Sequence, residues 1–404
     1  MNNMSLDLLY RIVYSSDASR NASKRQNLTN IVFPRTPEEI AGIVRYCRKR
    51  GTPIYIKGAG TSLTGAGSPT GKGIMLSTEK MDRILNFSYV AGLIRTEAGI
   101  SAARINDYLN EHSLFLPVFP ASYKFSSIGG NISTNASGFE AGRFGGISNY
   151  LKSLRVITGK GEDLNIGAHC HRYSQGIDIK NLFIGSLGLL GIICETEFGV
   201  IPKPARIYEY IFRFRQLGPI FDLFFKMRRK GIHPVRFEIV NDTISTLLLN
   251  SNYYYIEIHA DSSLFPGRSH LKFDRSSVSP MLSSVMPYKK SFDLSFDIEA
   301  LPEFDALLKG MCTKHFLALY YGHFTDGIFH TSFLYDEKAV NIEKNVETVY
   351  NFIAKKRGAF SGEHGYGPGS KAIMRKALAG KLPYIRKIKS LFDPDNIMNR
   401  GLAL

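Results

Sequence analysis

The sequence predicts an α+β protein of two domains, and three observations carry that expectation. The chain has 404 residues, more than one hydrophobic core usually serves. Its first half alternates helical and strand-like segments around three glycine-rich loops. After Pro204 glycines become rare and aromatic runs take over (IYEYIFRFR, FDLFF, NYYYIEIHA), the texture of an antiparallel sheet with flanking helices. Pro202 and Pro204 mark the boundary, which gives domains at 1–204 and 205–404.

In chain order, residues 34–50 (PRTPEEIAGIVRYCRKR) predict a helix. Thr36 can cap it, Pro37 suits its first turn, and Ile40, Ile43, Val44 and Cys47 fall at helical spacing before Gly51 stops it. TPIYIKG reads as a short strand leading into the loop Gly58–Gly67. A strand at GIMLST and a helix from about Ser101 to Glu111 follow. Glycine and small polar residues dominate again from Gly129 to Gly146, before a strand at LKSLRVITG and the apolar run NLFIGSLGLLGIICETEFGVIPKP. Beyond the boundary, helices are expected at Gly218–Arg229 and Leu301–Gly310.

Composition narrows the function classes. The longest apolar stretch, Leu182–Ile193, is broken by glycines and too short to cross a bilayer, and no signal-peptide pattern opens the chain. Cys47, Cys170, Cys194 and Cys312 show no CxxC spacing, which argues against a disulfide framework or an iron–sulfur cluster and for a reducing cytoplasm. The net charge is +16, with nine Lys/Arg against two acids between Lys203 and Arg236, and seven against none between Lys371 and Lys389. No zinc finger, recognition helix or basic–aromatic interleaving accompanies that charge, so nucleic acid is not expected. A peripheral contact with an anionic membrane face and a plain solvated basic surface are the two remaining readings.

Gly58-Ala59-Gly60-Thr61-Ser62-Leu63-Thr64-Gly65 follows a predicted strand. Glycines let successive backbone N–H groups converge on an anion, and the hydroxyls add donors. It is neither a Walker loop nor GxGxxG opening a helix. Ser126–Asn131 with Thr134–Gly138, and then Ile184–Gly188, repeat the chemistry. Three such loops in one domain point to a long, pyrophosphate-bearing cofactor.

PRTPEEIAGIV, GAGTSLTGAGSP, SSIGGNISTNASG, IGSLGLLGII and IPKP, with YSSDAS (Tyr14–Ser19) upstream, resemble in order and spacing the FAD-linked oxidases with a PCMH-type (vanillyl-alcohol-oxidase-like) FAD domain. The resemblance runs over essentially the whole chain. It implies a two-subdomain FAD-binding domain followed by an antiparallel-sheet-plus-helices cap, with about 385–404 packing back on the FAD domain. FAD contacts would come from Lys57, Gly58, Ala59, Gly60, Thr61, Ser62 and Leu63 in the first loop, and from Pro120, Ser122, Ile128, Gly129, Gly130, Ser133, Thr134, Asn135 and Gly138 around the second. Gly188, Gly191, Ile192 and Asn399 complete that set. Ala59 stands where some members tether FAD through a His, so non-covalent FAD is expected. Leu187 replaces the usual Glu of a GSEGTLG-like run, and in FDPDNIMNRGL Arg400 and Leu402 replace the usual Pro and Lys.

His323 and His330 stand seven residues apart in GHFTDGIFH, with Asp326-Gly327 as a turn signal between them, and Glu363 follows 33 residues later in SGEHG. Two imidazoles and a carboxylate make a three-ligand metal site with room for substrate; two satisfied histidines flanking a hairpin are the alternative. These segments resemble the GHxGDGNxH and GEHGxGxxK signatures of the D-2-hydroxyacid dehydrogenase branch, whose members act on D-lactate, glycolate or D-2-hydroxyglutarate. By that likeness His323, His330 and Glu363 would ligate a divalent metal (zinc, with manganese or iron the other choices), and His364 would be the catalytic base. Thr325 and Ile328 depart from the usual Gly and Asn. Arg275, Ser279 and Lys290 resemble the substrate-carboxylate residues, with the Lys shifted by one position; surface cations are the other reading.

The activity so implied is oxidation of a small D-2-hydroxy acid to the 2-oxo acid by hydride transfer to flavin N5. Electrons would pass to a quinone, a cytochrome, an electron-transfer flavoprotein or a partner subunit. A non-redox transferase of the alkyl-glycerone-phosphate synthase type, and a flavin-dead binding subunit, are the alternatives.

Overall fold

The computed structural model describes residues 30–263 and 275–402; Tyr14–Ser19 lie outside them. The chain divides into two compact units. The first holds residues up to Ser137, Gly146–Lys203 and His364–Leu404; the second holds Gly138–Gly145 and Pro204–Glu363. The C-terminal stretch therefore folds with the first unit.

In the first unit, β1 (Asn30–Val32), β2 (Ile54–Lys57) and β3 (Ile74–Ser77) form a parallel sheet in the order β1-β3-β2. The helix Pro37–Arg50 connects β1 to β2. Thr36 Oγ1 accepts the Glu39 N–H at its start, and Gly51 ends it in the left-handed conformation. Ile40, Val44 and Cys47 bury one helical stripe against Ile54, Ile74 and Leu76. At about 1.5–3 kcal/mol for each fully buried large apolar side chain, that stripe holds the helix on the sheet.

A second, antiparallel sheet contains β4 (Ile84–Ser88), β5 (Leu93–Glu97), β7 (Leu151–Thr158), β8 (Asp163–Gly167) and β9 (Gly191–Gly199) in the order β4-β5-β9-β7-β8. β6 (Leu114–Phe115) pairs with β10 (Ile201–Pro202). The β4–β5 hairpin, turned by Gly92 at φ +58°, is absent from the sequence-based expectation. The second glycine-rich stretch also differs from a plain loop: Ile128–Thr134 is a helix, capped by Ser127 and closed by Asn135 in the left-handed region.

The second unit is built on a six-stranded antiparallel sheet in the order β11-β13-β12-β15-β16-β14. Its strands are β11 (Tyr208–Phe214), β12 (Arg236–Val240), β13 (Tyr254–Ala260), β14 (Tyr288–Ser295), β15 (Phe316–His323) and β16 (Ile328–Tyr335). Side chains alternate between its faces. Phe237, Leu294, Tyr320, Phe329 and Phe333 pack with the helices Gly218–Arg229, Leu301–Met311 and Ile342–Lys355 in an aromatic core. The opposite face carries Glu238, Asp293, Tyr321, His323 and His330, beside a smaller core of Val240, Val278, Leu319 and Leu334. Among the described residues no helix is long and apolar enough to cross a membrane.

Candidate active site

In the first unit, β2 ends at Lys57 and runs straight into the first glycine loop. Gly58 lies so close to the second loop that a Cβ would fall 2.2 Å from Ser127 Oγ, and Gly60 has φ +71°. A Cβ on Gly129 would fall 2.8 Å from Ala98 Cβ. Only glycine permits that approach of backbone to backbone. Leu63 is exposed, while Pro120 and Ser122 form the turn that receives the N–H groups of Tyr123 and Ser126. Ser133 and Thr134 direct their hydroxyls to the carbonyls of Gly129 and Gly130. Ser126 Oγ and Asn131 Nδ2 are buried without a hydrogen-bond partner among the described residues. A cleared glycine backbone beside unsatisfied buried polar atoms fits a polar cofactor such as FAD.

The third loop is clasped from the C-terminus. Asn399 Oδ1 accepts the Ile56 N–H at 2.8 Å, and its Nδ2 donates to the Leu187 carbonyl at 2.6 Å. Gly188, at φ +69°, passes under that amide. Leu187 itself adopts φ +53° and packs with Leu189 and Leu402. Gly191 opens β9, and Ile192 is buried in the core with Val44 and Ile157. Gly138 groups with the second unit.

In the second unit, β15 and β16 are joined by a tight turn, Phe324–Asp326, with Gly327 at φ +63°. That hairpin brings the two histidines together, their rings 5.2 Å apart and nearly perpendicular. Both Nε2 atoms face one carboxylate: Glu363 Oε1 lies 3.6 Å from His323 and 3.5 Å from His330. A carboxylate stands behind each Nδ1: Glu238 Oε1 is hydrogen-bonded to His323 at 2.6 Å, and Asp293 Oδ1 lies in ion-pair range of His330 at 3.2 Å. This is the carboxylate–histidine arrangement that fixes ring orientation at metal centres. Asp293, His330 and Glu363 belong to a group whose ligand atoms all lie within 4.8 Å of one another and which does not include His323; Asp293 stands at the back of His330 and is better read as its support.

Burial opposes a charge on His323, yet Glu238 and Glu363 prevail and carry its pKa up to about 10. Burial also pushes Asp326 up to about 6. A buried group of carboxylates thus calls for positive charge at the imidazoles, and a divalent cation fits both that demand and the donor set. The segment Gly138–Gly145 straps this corner: Phe139 meets His323 edge-on at 5.4 Å, and a Cβ on Gly142 would collide with Thr325 Oγ1. His364 follows Glu363 directly but groups with the first unit.

Arg275 is buried, ion-paired through Nε with Glu238 Oε2 at 3.0 Å, and its guanidinium lies 4.3 Å from the Tyr321 ring centre. The contact with Glu238 is an ion pair without hydrogen-bond alignment, so Nε and Nη2 both lack a hydrogen-bond partner among the described residues. The predicted lysine and its neighbour lie on opposite faces of β14. Lys290 reaches Glu343 at 2.9 Å, whereas Lys289 lies on the face of Asp293 and donates to the Ser279 carbonyl at 3.0 Å. Burial holds the Lys289 ammonium below its ordinary pKa.

Residues 29–167 match the FAD binding domain family, and residues 272–402 match the C-terminal domain of FAD linked oxidases. The chain belongs to the FAD-linked oxidase family. It combines a PCMH-type FAD-binding domain with the C-terminal oxidase domain. The chain is 28% identical over 416 residues to a mitochondrial D-2-hydroxyglutarate dehydrogenase of Bos taurus, a match covering 91% of this chain and 75% of the relative. It is 25% identical over 422 residues to a D-lactate dehydrogenase of Anaerostipes hadrus, covering 92% and 88%. A solved structure of alkyldihydroxyacetonephosphate synthase shares the fold at TM-score 0.69 and 17% identity, over 91% of this chain and 75% of that one.

In this FAD-linked oxidase, sequence reasoning missed Glu238, Asp293, Lys289 and Phe139. An acidic residue set between apolar neighbours in a strand, as Glu238 is between Phe237 and Ile239, was the one signal that could have found the first of them.

Proposed function

We propose that this chain is an FAD-dependent dehydrogenase oxidising a small D-2-hydroxy acid to the 2-oxo acid, with FAD held non-covalently in residues 1–204 and the metal and substrate in 205–404. The observation that carries this reading is the convergence of both histidine Nε2 atoms on Glu363 Oε1, with each Nδ1 backed by a carboxylate. The names of the similar relatives agree with it, since they are D-2-hydroxyglutarate and D-lactate dehydrogenases.

When bound, FAD supplies the two-electron acceptor for the α-hydrogen, and the metal supplies the Lewis acidity that lowers the alcohol's pKa. His323, His330 and Glu363 would hold the metal, for which zinc is the first choice and manganese and iron suit the same donors. Arg275 grips the substrate carboxylate, aided by Ser279 and by a cation of β14. Lys290 is the lysine the family likeness selects, and Lys289 the one whose strand face supports that role. His364 removes the hydroxyl proton near neutral pH. The external electron acceptor would be a quinone, a cytochrome, an electron-transfer flavoprotein or a partner subunit.

Anaerobic mixing of the purified protein with a panel of D- and L-2-hydroxy acids, followed at the flavin absorbance maximum, tests the reading. Bleaching by a D-acid that is lost after chelation and in His364→Ala is the expected result. A bound flavin that no hydroxy acid reduces would leave the non-redox transferase, or an inactive subunit, in its place.

A further inference from the structure

Glu238 stands where two parts of the site meet. It occupies the middle of β12, directly across from His323 in the strand register, and its side chain is 1% exposed. Its two oxygens are divided between two partners. Oε1 takes His323 Nδ1 at 2.6 Å, and Oε2 faces Arg275 Nε at 3.0 Å. Its other cross-strand neighbour, Glu257, is served separately by Arg236 at 3.2 Å and His259 at 2.9 Å. The Glu238 charge is therefore shared between one imidazole and one guanidinium.

Arg275 has little freedom to move away. Its guanidinium is packed against Tyr321 and lies 5.4 Å from the Phe139 ring centre, with Nε and Nη2 buried and neither making a hydrogen bond among the described residues. A buried cation with an unfilled donor recruits an anion. An arriving carboxylate takes up part of the guanidinium's charge, which frees Glu238 to act more strongly on His323. Nε2 then becomes a better donor to a cation.

We propose that Glu238 is a positioning residue that couples the two subsites, so that the metal at His323 and the carboxylate at Arg275 each strengthen the other's binding. The inference rests on the functional reading above and adds to it a route of communication between ligands. Coupling of this kind is reciprocal, and typical cases amount to about 5–150-fold in affinity.

The test is a double-mutant cycle read in zinc affinity, measured by titration calorimetry on the FAD-loaded, metal-stripped protein. Glu238→Gln keeps an acceptor for Nδ1 but removes the charge, and it is expected to weaken zinc binding about tenfold or more. Arg275→Met leaves the whole carboxylate charge to His323 and is expected to tighten zinc binding at least about fivefold, the lower end of the coupling range above. In the double variant that tightening should shrink to within about twofold, the additive limit for uncoupled sites. Equal zinc affinity in wild type and Glu238→Gln, or an Arg275→Met effect that persists undiminished in the Glu238→Gln background, overturns the coupling while leaving the metal-dependent function standing. If Glu238→Gln does not fold, Arg275→Met alone decides: an unchanged zinc affinity overturns the proposal. A wild-type protein that binds no zinc or manganese removes the functional reading and the coupling together.

Discussion

The carboxylate of Asp293 accepts the backbone N–H of Glu363 at 2.7 Å while its other oxygen stands 3.2 Å behind His330 Nδ1. One side chain on β14 thus sets both the ring orientation of one proposed ligand and the backbone that carries another. The Asp293 carbonyl adds a third tie by accepting the Gly362 N–H at 2.8 Å. Asp293→Asn keeps the shape but gives up the charge at His330, so metal affinity should fall about 10–100-fold. Metal content after dialysis against graded chelator checks this. Full retention at wild-type chelator concentrations would show that Asp293 supports only the fold.

The cradle around Gly58 gives a second expectation. Its missing Cβ leaves 2.2 Å to Ser127 Oγ, closer than real Cβ atoms come to any neighbour. Gly58→Ala must therefore either turn Ser127 Oγ away from the Gly130 N–H that it caps or push the first loop off the second, and a protein that purifies with less flavin is expected. Gly51→Ala is the control. It meets no atom within 4 Å, although its φ of +63° will lower stability by about 1 kcal/mol. Flavin absorbance per protein should drop in the first variant and hold in the second.

The sequence made the local parts of this structure legible, and the distant partners not. Thr36, Pro37 and Gly51 announce the first helix because caps are encoded within a turn of where they act. Asp326-Gly327 announces the turn that pairs His323 with His330, for the same reason. Glu238 sits 85 residues from the imidazole it holds, and nothing local to either residue points to the other. Lys290 illustrates a different limit. Strand side chains alternate with period two, so the neighbouring residue, Lys289, takes the opposite face. Ile128–Thr134 reads as loop because its glycines lower helix propensity; the Ser127 cap and the packing of Gly129 on Ala98 override it.

Thiol chemistry offers a third check on the packing. Burial pushes the Cys47 thiol up to about 11 and raises Cys194 further still, and both side chains are fully enclosed. Cys170 is exposed and Cys312 partly so. At pH 8 a disulfide reagent should therefore modify Cys170 rapidly and Cys312 slowly, leaving Cys47 and Cys194 untouched until the chain unfolds. Peptide mapping of the labelled protein assigns each thiol. Fast labelling of Cys194 would contradict the burial of β9.

Lys389 gives the last and largest effect. Its ammonium is enclosed and donates to three oxygens: the Leu189 carbonyl at 2.8 Å, Asp393 Oδ2 at 2.6 Å and the Met398 carbonyl at 3.1 Å. It thereby ties the third glycine loop to the C-terminal segment that carries Asn399. Burial depresses its pKa, which means the folded chain releases this proton more readily than the unfolded one. That cost of holding the charge is present in full below the depressed pKa and disappears as pH rises through the ordinary lysine value. Stability from this group should therefore increase toward alkaline pH. Replacing Lys389 by Met removes the cost but leaves the buried Asp393 charge with only the Ile397 and Met398 N–H groups, and takes a donor from two interior carbonyls. Loss of one partner of a buried pair typically destabilises by about 3–5 kcal/mol, so the deficit should win. Chemical denaturation of Lys389→Met and wild type, both saturated with FAD, measures the difference. A loss below about 1 kcal/mol would mean that water reaches the stranded groups and that the C-terminal segment is held by Asn399 and its neighbours instead.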